Sequence, residues 1–90
     1  MSGSGGFTTT TVTVAATATL IVAARKGRVA VTITNRGTTA CDLDSQATVT
    51  VGGNQILAGV AGASVTIPTQ DAVYGIAATG TQAVSVLESF

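Results

Sequence analysis

The sequence predicts an all-β domain, a small antiparallel β-sandwich of eight to nine short strands. Residues that favour strands are abundant, with 17 threonines and 12 valines among 90 residues. Several segments alternate apolar and polar residues with a period of two, as strands with one buried face do. Glycine- and asparagine-containing turns separate these segments, and no segment shows a helical period of 3.6. Spacing of this kind is typical of a sandwich or a small barrel.

The first half of the chain contains five of the expected strands. Val12 and Val14 alternate with threonines, an apolar run follows at 19–24, and Val29, Val31 and Ile33 form the clearest alternation. Further strands are expected near 39–44 and 47–51. Arg25-Lys26-Gly27 is predicted to be a hairpin turn, because glycine adopts positive φ without steric cost.

The second half contains four strands, expected near 55–58, 63–67, 72–77 and 82–88. Val65 and Ile67 flank Thr66, and Val84 and Val86 flank a serine. Pro68 places the end of the third-last strand at an edge or exit position, since proline donates no ladder hydrogen bond. The strand order is open between a jelly-roll-like and an immunoglobulin-like arrangement.

The domain boundaries follow from composition. Residues 1–9, rich in glycine, serine and threonine, are expected to form a flexible N-terminal arm, and residues 10–90 a single sandwich domain. With three aromatic residues in the chain, the core must consist of Val, Ile, Leu and Ala. A thin core of this kind suggests that burial between subunits supplements burial within one chain.

Charge and histidine content argue against catalysis. Only eight of 90 residues are charged, and the chain contains no histidine. A Ser-His-Asp or Cys-His arrangement therefore lacks its base, and we expect no enzyme, no cofactor and no small-molecule substrate. No apolar run is long enough for a membrane helix, and the N-terminus lacks the features of a secretory signal.

A lone cysteine and two neighbouring acids are the remaining candidates for chemistry. Cys41 is expected to be a buried, unreactive residue, because unpaired cysteine usually behaves as a small hydrophobe. Asp42 and Asp44 share one face of a strand, but two carboxylates and Gln46 supply few of the oxygen ligands that Ca²⁺ requires. No metal site is predicted.

All four basic residues lie in one segment, at Arg25, Lys26, Arg28 and Arg36. Three interpretations remain open: a charged edge that prevents strand pairing, a docking site for an acidic partner, or a nucleic-acid contact. The last is disfavoured because four charges give few phosphate contacts and no aromatic residue is interleaved. Together with Phe7 of the arm, these four residues are the predicted partner-binding residues.

Threonine also recurs in Thr-x-Thr triplets, at 11–13, 17–19, 32–34, 48–50 and 79–81. Outward rows of threonine mark some ice-binding surfaces, but a solenoid would require a repeated unit, and none is present. Solvent-facing strand threonine is the interpretation that we retain.

From Ala23 onward the chain resembles a recurrent type of small β-sandwich protein of tailed-phage virions, the capsid decoration (cement) proteins. The resemblance rests on the strand Arg28–Asn35 with its preceding basic turn, and on Val65–Ile67, Val73–Ala77 and Val84–Glu88. It implies a structural role on the capsid surface after synthesis in the host cytoplasm. The implied partners are the major capsid protein and further copies of the chain, expected as a homotrimer at local three-fold sites.

The alternatives come from other functional classes. A head–tail connector or collar would use the same sandwich in a ring of six or twelve. A tail-fibre module that binds a host or a glycan would use Tyr74, Asp42 and Asp44, the available aromatic and acidic residues. Neither nucleic acid nor membrane is an expected partner, since the formal net charge is zero.

Overall fold

Eight antiparallel strands form two four-stranded sheets that pack face to face, as the sequence predicts. The computed structural model describes residues 6–52 and 55–90. The strands are β1 (Phe7–Ala15), β2 (Thr19–Val22), β3 (Ala30–Asn35), β4 (Cys41–Asp44), β5 (Gln55–Leu57), β6 (Ser64–Ile67), β7 (Val73–Ala77) and β8 (Thr81–Ser89).

The strand order distinguishes between the two sandwich types. Sheet I has the order β1-β8-β3-β6, and sheet II has the order β2-β7-β4-β5. Only β4 and β5 are consecutive strands within one sheet, and every other connection crosses between the sheets. Eight strands arranged in this interleaved order form a jelly roll, whereas an immunoglobulin constant-type sandwich has seven strands and keeps its first two in one sheet.

The core lies between the sheets and consists of aliphatic side chains. Val31, Ile33, Val84 and Val86 of sheet I face Leu43, Leu57 and Ala77 of sheet II, and these seven residues are at most 2% exposed. No aromatic residue of the described ranges belongs to this core. Each larger aliphatic side chain contributes about 1.5–3 kcal/mol when fully buried, which fits the expected thin core.

The N-terminal boundary differs from the prediction of an arm over 1–9. β1 begins at Phe7, and its first residues pair with the end of β8, Phe7 with Ser89 and Thr9 with Leu87. The amide of Phe90 donates to the Gly6 carbonyl at 2.9 Å, which extends the ladder by one more position. Residues 7–9 therefore belong to the sandwich, and residues 1–5 lie outside the described residues.

The predicted strand at 47–51 is wrong. The segment after β4 forms turns: the Val49 amide donates to the Gln46 carbonyl at 3.2 Å, and the Gly52 amide donates to Asp42 Oδ2 at 3.1 Å. Val49 is buried but Val51 is 53% exposed, so their alternation with threonine does not produce a strand.

The turn at Arg25–Gly27 is present, but it does not close a hairpin. Gly27 has φ of 83°, as expected. However, β2 lies in sheet II and β3 in sheet I, so the turn carries the chain across the sandwich. Val29, expected inside with Val31, is 62% exposed, because Arg28 takes the inward position just before β3 begins.

Candidate interaction surface

Arg28 is the most constrained basic residue, and it lies inside the molecule. Its side chain is 0% exposed. Nε donates to the Thr69 carbonyl at 3.0 Å and Nη2 to the Asp71 carbonyl at 2.6 Å. Nη1 donates to the Ala23 carbonyl and to Glu88 Oε1, both at 3.0 Å. One guanidinium thus joins the loop after β2, the loop after β6 and the end of β8.

This arrangement corrects the interpretation of Arg28 as a partner-binding residue. A buried guanidinium whose donors are occupied by carbonyls and a carboxylate of its own chain is not available to a neighbour. Charge reversal at this position would therefore disrupt the end of the sandwich itself, and not only a contact with a partner. The alternation of residues 28–34 concealed this, because it placed Arg28 on the outer face.

Arg25, Lys26 and Phe7 remain at the surface, at the same end of the sandwich as Arg28. The Arg25 side chain is 53% exposed and lies 3.6 Å from Glu88 Oε2. Its guanidinium carbon also lies 4.4 Å from the centre of the Phe90 ring, within the range of a cation–π contact. Phe7 is 64% exposed beside the end of β8. These three residues are accessible to a partner.

Arg36 lies at the opposite end of β3 from Arg28. The whole of β3 lies between them, and its six residues span about 20 Å at 3.3 Å per residue. Arg36 is exposed, and its Nη1 donates to Ser85 Oγ at 3.0 Å. The four basic residues therefore do not form one patch. Arg25 and Lys26 lie on the surface at one end of β3, Arg36 lies on the surface at the other end, and Arg28 is buried.

The outer face of sheet I, here called the threonine face, is a continuous surface of mostly small and polar side chains. The registers of β1–β8, β3–β8 and β3–β6 place on one side the positions that alternate with the buried core residues. These positions are Phe7, Thr9, Thr11, Thr13, Ala15, Thr81, Ala83, Ser85, Leu87, Ser89, Ala30, Thr32, Thr34, Ser64 and Thr66. None of these residues is charged, although the guanidinium of Arg36 reaches the face at Ser85. The face is four strands wide.

The threonine face unites residues that the sequence analysis left separate. The triplets 11–13 and 32–34 each contribute outward threonines to it, and the hydroxyls of Thr32 and Thr66 lie 2.8 Å apart. The triplets at 17–19 and 48–50 contribute nothing to this face, and of the triplet at 79–81 only Thr81, the first residue of β8, belongs to it. The signal that the sequence analysis missed is that threonine or serine recurs at every second position within each of β1, β3 and β6. Only the sheet order brings these positions onto one face.

The acidic residues of β4 differ in accessibility. Asp42 is 5% exposed and accepts the Gly52 amide, so it faces the loop after β4 rather than solvent. Asp44 is half-buried, accepts the Ser45 amide at 2.6 Å, and lies opposite Tyr74 in the β4–β7 register. Asp44 and Tyr74 are thus neighbours on the outer face of sheet II. The buried Asp42 carboxylate is not accessible to a ligand on that face.

An open cleft of about 410 Å³ lies where β4 ends and β7 begins. Leu43, Ile67 and Val73 contribute apolar surface, and Asp44 is its one ionisable group among the described residues. A single carboxylate supplies no acid–base pair. Within residues 6–52 and 55–90, no group of three metal-ligating side chains occurs.

Cys41 is buried, as predicted. Its thiol is 0% exposed, and burial followed by the adjacent Asp42 carboxylate raises its pKa. A protonated, inaccessible thiol is a poor nucleophile. Gly59, in the Gly59-x-x-Gly62 segment, lies against the backbone of Thr38 and Ala40, which fits a tight connection between β5 and β6.

Comparison with known proteins adds no identification. No protein-family model matches the chain, and no curated protein matches it either. In the part of the chain that the structure describes, no helix has the length and apolar character needed to cross a membrane.

Proposed function

We propose that this chain is a structural protein of a tailed-phage virion that binds the capsid shell as a decoration protein. In this role it acts as a homo-oligomer, expected as a trimer at local three-fold sites, and it stabilises the shell through buried area. Its partners are the major capsid protein and further copies of itself.

The observation that carries the proposal is the threonine face. A surface four strands wide whose own side chains are uncharged has a small electrostatic penalty when a protein partner covers it, because the Arg36 guanidinium bonded to Ser85 is the one charged group described on it. Soluble domains usually expose mixed charges that keep them apart. Here only eight charged residues occur in the chain, and Arg28 is buried among them.

Two further observations support a structural role. The jelly-roll order is an architecture that viral capsid proteins use, although the fold alone does not determine a function. The resemblance of the β3, β6, β7 and β8 sequences to phage decoration proteins points in the same direction. The cleft beside Asp44 offers a carboxylate without a catalytic partner among the described residues.

The test is binding to phage heads from which this protein has been removed by deletion of its gene. Thr32 lies near the centre of the threonine face, paired with Leu87 on one side and Thr66 on the other. Thr32→Glu buries a carboxylate in the proposed contact, so we expect about tenfold or more loss of affinity for the heads.

The matched control is Thr79→Glu, which adds the same charge at an exposed turn position between β7 and β8. It is expected to bind as the wild type does, and circular dichroism verifies the fold of both variants. Equal binding of the two variants, or no binding of the wild type, would contradict the proposed contact.

A second candidate function is glycan binding on a tail fibre, which the pairing of Tyr74 with Asp44 favours. An aromatic ring beside a carboxylate is a minimal sugar-binding arrangement. Asp42 adds no second carboxylate to it, because Asp42 is buried. A glycan array with the wild type and Tyr74→Ala tests this. A glycan bound by the wild type and lost in the variant would favour this function over capsid binding.

A further inference from the structure

The free edge of β1 differs from the other three sheet edges. Sheet I ends at β1 and β6, and sheet II ends at β2 and β5. The strands β2, β5 and β6 have only four, three and four residues. In addition, β2 has a bulge between Leu20 and Val22, and Pro68 follows β6. Short strands, bulges and prolines are the usual devices that prevent edge pairing.

None of these devices occurs in β1. It is nine residues long, pairs with β8 in one continuous register, and contains neither charge nor proline. Residues 7–11 and Thr13 are exposed. Thr8 and Thr10 are exposed although they point toward the side of sheet II, so this half of the strand is open on both faces and at its edge.

The hydrogen-bonding phase of β1 shows which backbone groups the edge presents. The bond from the Phe90 amide to the Gly6 carbonyl marks residues 6 and 90 as a hydrogen-bonded pair of the ladder. Such pairs alternate along antiparallel strands. The even-numbered residues of β1 therefore bond to β8, whereas Phe7, Thr9, Thr11 and Thr13 direct their amides and carbonyls outward.

Among the residues that the structure describes, only the C-terminal end of this edge has a hydrogen-bond partner. The outward amide of Ala15 donates to Thr19 Oγ1 at 3.0 Å. The outward groups of the four residues from Phe7 to Thr13 have no hydrogen-bond partner among the residues that the structure describes. An exposed row of this kind is the template that added strands use.

We propose that β1 pairs with β1 of a second copy of this chain, antiparallel and about a two-fold axis at Thr10. This register places Thr9 opposite Thr11 of the second copy, and Phe7 opposite its Thr13. It joins all four outward-facing residues of each strand, about eight backbone hydrogen bonds. Sheet I of one copy and sheet I of the other then form one continuous sheet of eight strands.

A second copy fits this edge because β1 is compatible with itself. From Phe7 to Thr13 every side chain is uncharged and most are threonine, so the two-fold register sets no like charges opposite each other. The two-fold contact is isologous and closes on itself. It is a separate contact from the proposed three-fold one and does not depend on capsid binding; with both contacts present, β1 would join copies of two neighbouring trimers. It leaves the rest of the threonine face of both copies on one side.

The test is the mass of the protein in solution, measured by light scattering over a range of concentrations. The wild type is expected to form a dimer, or an even-numbered assembly if other contacts add to it. Thr9→Lys/Thr11→Lys places lysine opposite lysine at both pairs and should weaken this contact by about tenfold or more. Thr9→Glu/Thr11→Glu should do the same.

A one-to-one mixture of the lysine and glutamate variants is the decisive sample, because opposite charges then face each other and the dimer should return. Ala78→Lys/Thr79→Lys adds the same charge at exposed positions of the turn between β7 and β8 and should keep the wild-type mass. A wild type that stays monomeric or purely trimeric, variants that retain its mass, or a mixture that does not re-associate would overturn the proposal.

Hydrogen exchange of the wild type provides a second measurement that needs no variant to fold. The amides of Thr9, Thr11 and Thr13 should exchange more slowly as the protein concentration rises, whereas the exposed Thr17 amide should not change. Exchange of the three β1 amides that is independent of concentration would overturn the proposal. A loss of capsid binding with an intact dimer would instead count against the proposed function alone.

Discussion

Nη1 of Arg28 donates a hydrogen bond to Oε1 of Glu88 at 3.0 Å, and this ion pair closes one end of the jelly roll. Arg28 precedes β3 and Glu88 lies near the end of β8. The same guanidinium holds three backbone carbonyls from two crossing loops. A buried charge is compensated here by one carboxylate and three oriented dipoles, as its desolvation requires.

Arg28→Met should destabilise the domain by about 3–5 kcal/mol, because it leaves Glu88 without its buried partner and three carbonyls without a donor. Urea unfolding at neutral pH measures the change. Arg36→Met is the matched control, since Arg36 is exposed and makes one side-chain hydrogen bond, and it should lie within about 0.5 kcal/mol of the wild type. Equal stability of the two variants would contradict a structural role for Arg28.

Gly59 should not tolerate a side chain. A Cβ atom there would lie 2.7 Å from the Thr38 carbonyl oxygen and 2.9 Å from the Ala40 amide nitrogen, both of them backbone atoms. Gly59→Ala should therefore cost about 1–3 kcal/mol of unfolding free energy. Gly6→Ala, where a Cβ atom meets nothing within 4 Å, should be nearly neutral. A neutral Gly59→Ala would show that this connection can move apart.

Stability should fall at alkaline pH through Cys41. Its pKa is raised in the folded state by burial and by Asp42, so the unfolded chain releases the thiol proton first as the pH rises. The free energy of unfolding is then largest below the ordinary thiol pKa of about 8.5 and decreases above it. Between about pH 7 and about pH 9.5 the wild type should lose more stability than Cys41→Ala. Parallel losses in the two proteins would contradict this assignment.

The fold class was predictable from the sequence because its signals are local. Alternation and turn residues identify all eight strands, although β1 begins earlier than expected. The strand order was not predictable, because it depends on whether each connection stays within one sheet or crosses to the other. The turn at Arg25–Gly27 crosses between the sheets, and its residues do not indicate this. The contacts of Asn35 were not predictable either: its buried side chain donates to the carbonyls of Thr39 and Ala58 and accepts from the Gly37 amide.

The candidate surface was less predictable than the fold for the same reason. Linear proximity grouped Arg28 with Arg25 and Arg36, whereas its environment is set by Thr69, Asp71 and Glu88, more than 40 positions away. Likewise, outward threonines of separate strands become one face only after β1, β8, β3 and β6 are placed side by side. Non-local contacts of this kind carry no signature in a single sequence.

The most direct test of the central claim, that this chain covers a capsid shell, is electron cryomicroscopy of heads with and without it. We expect difference density for this chain on the outer capsid surface at local three-fold sites, with the threonine face of sheet I toward the shell. Density confined to the neck or the tail, or heads that never carry the chain, would contradict the account.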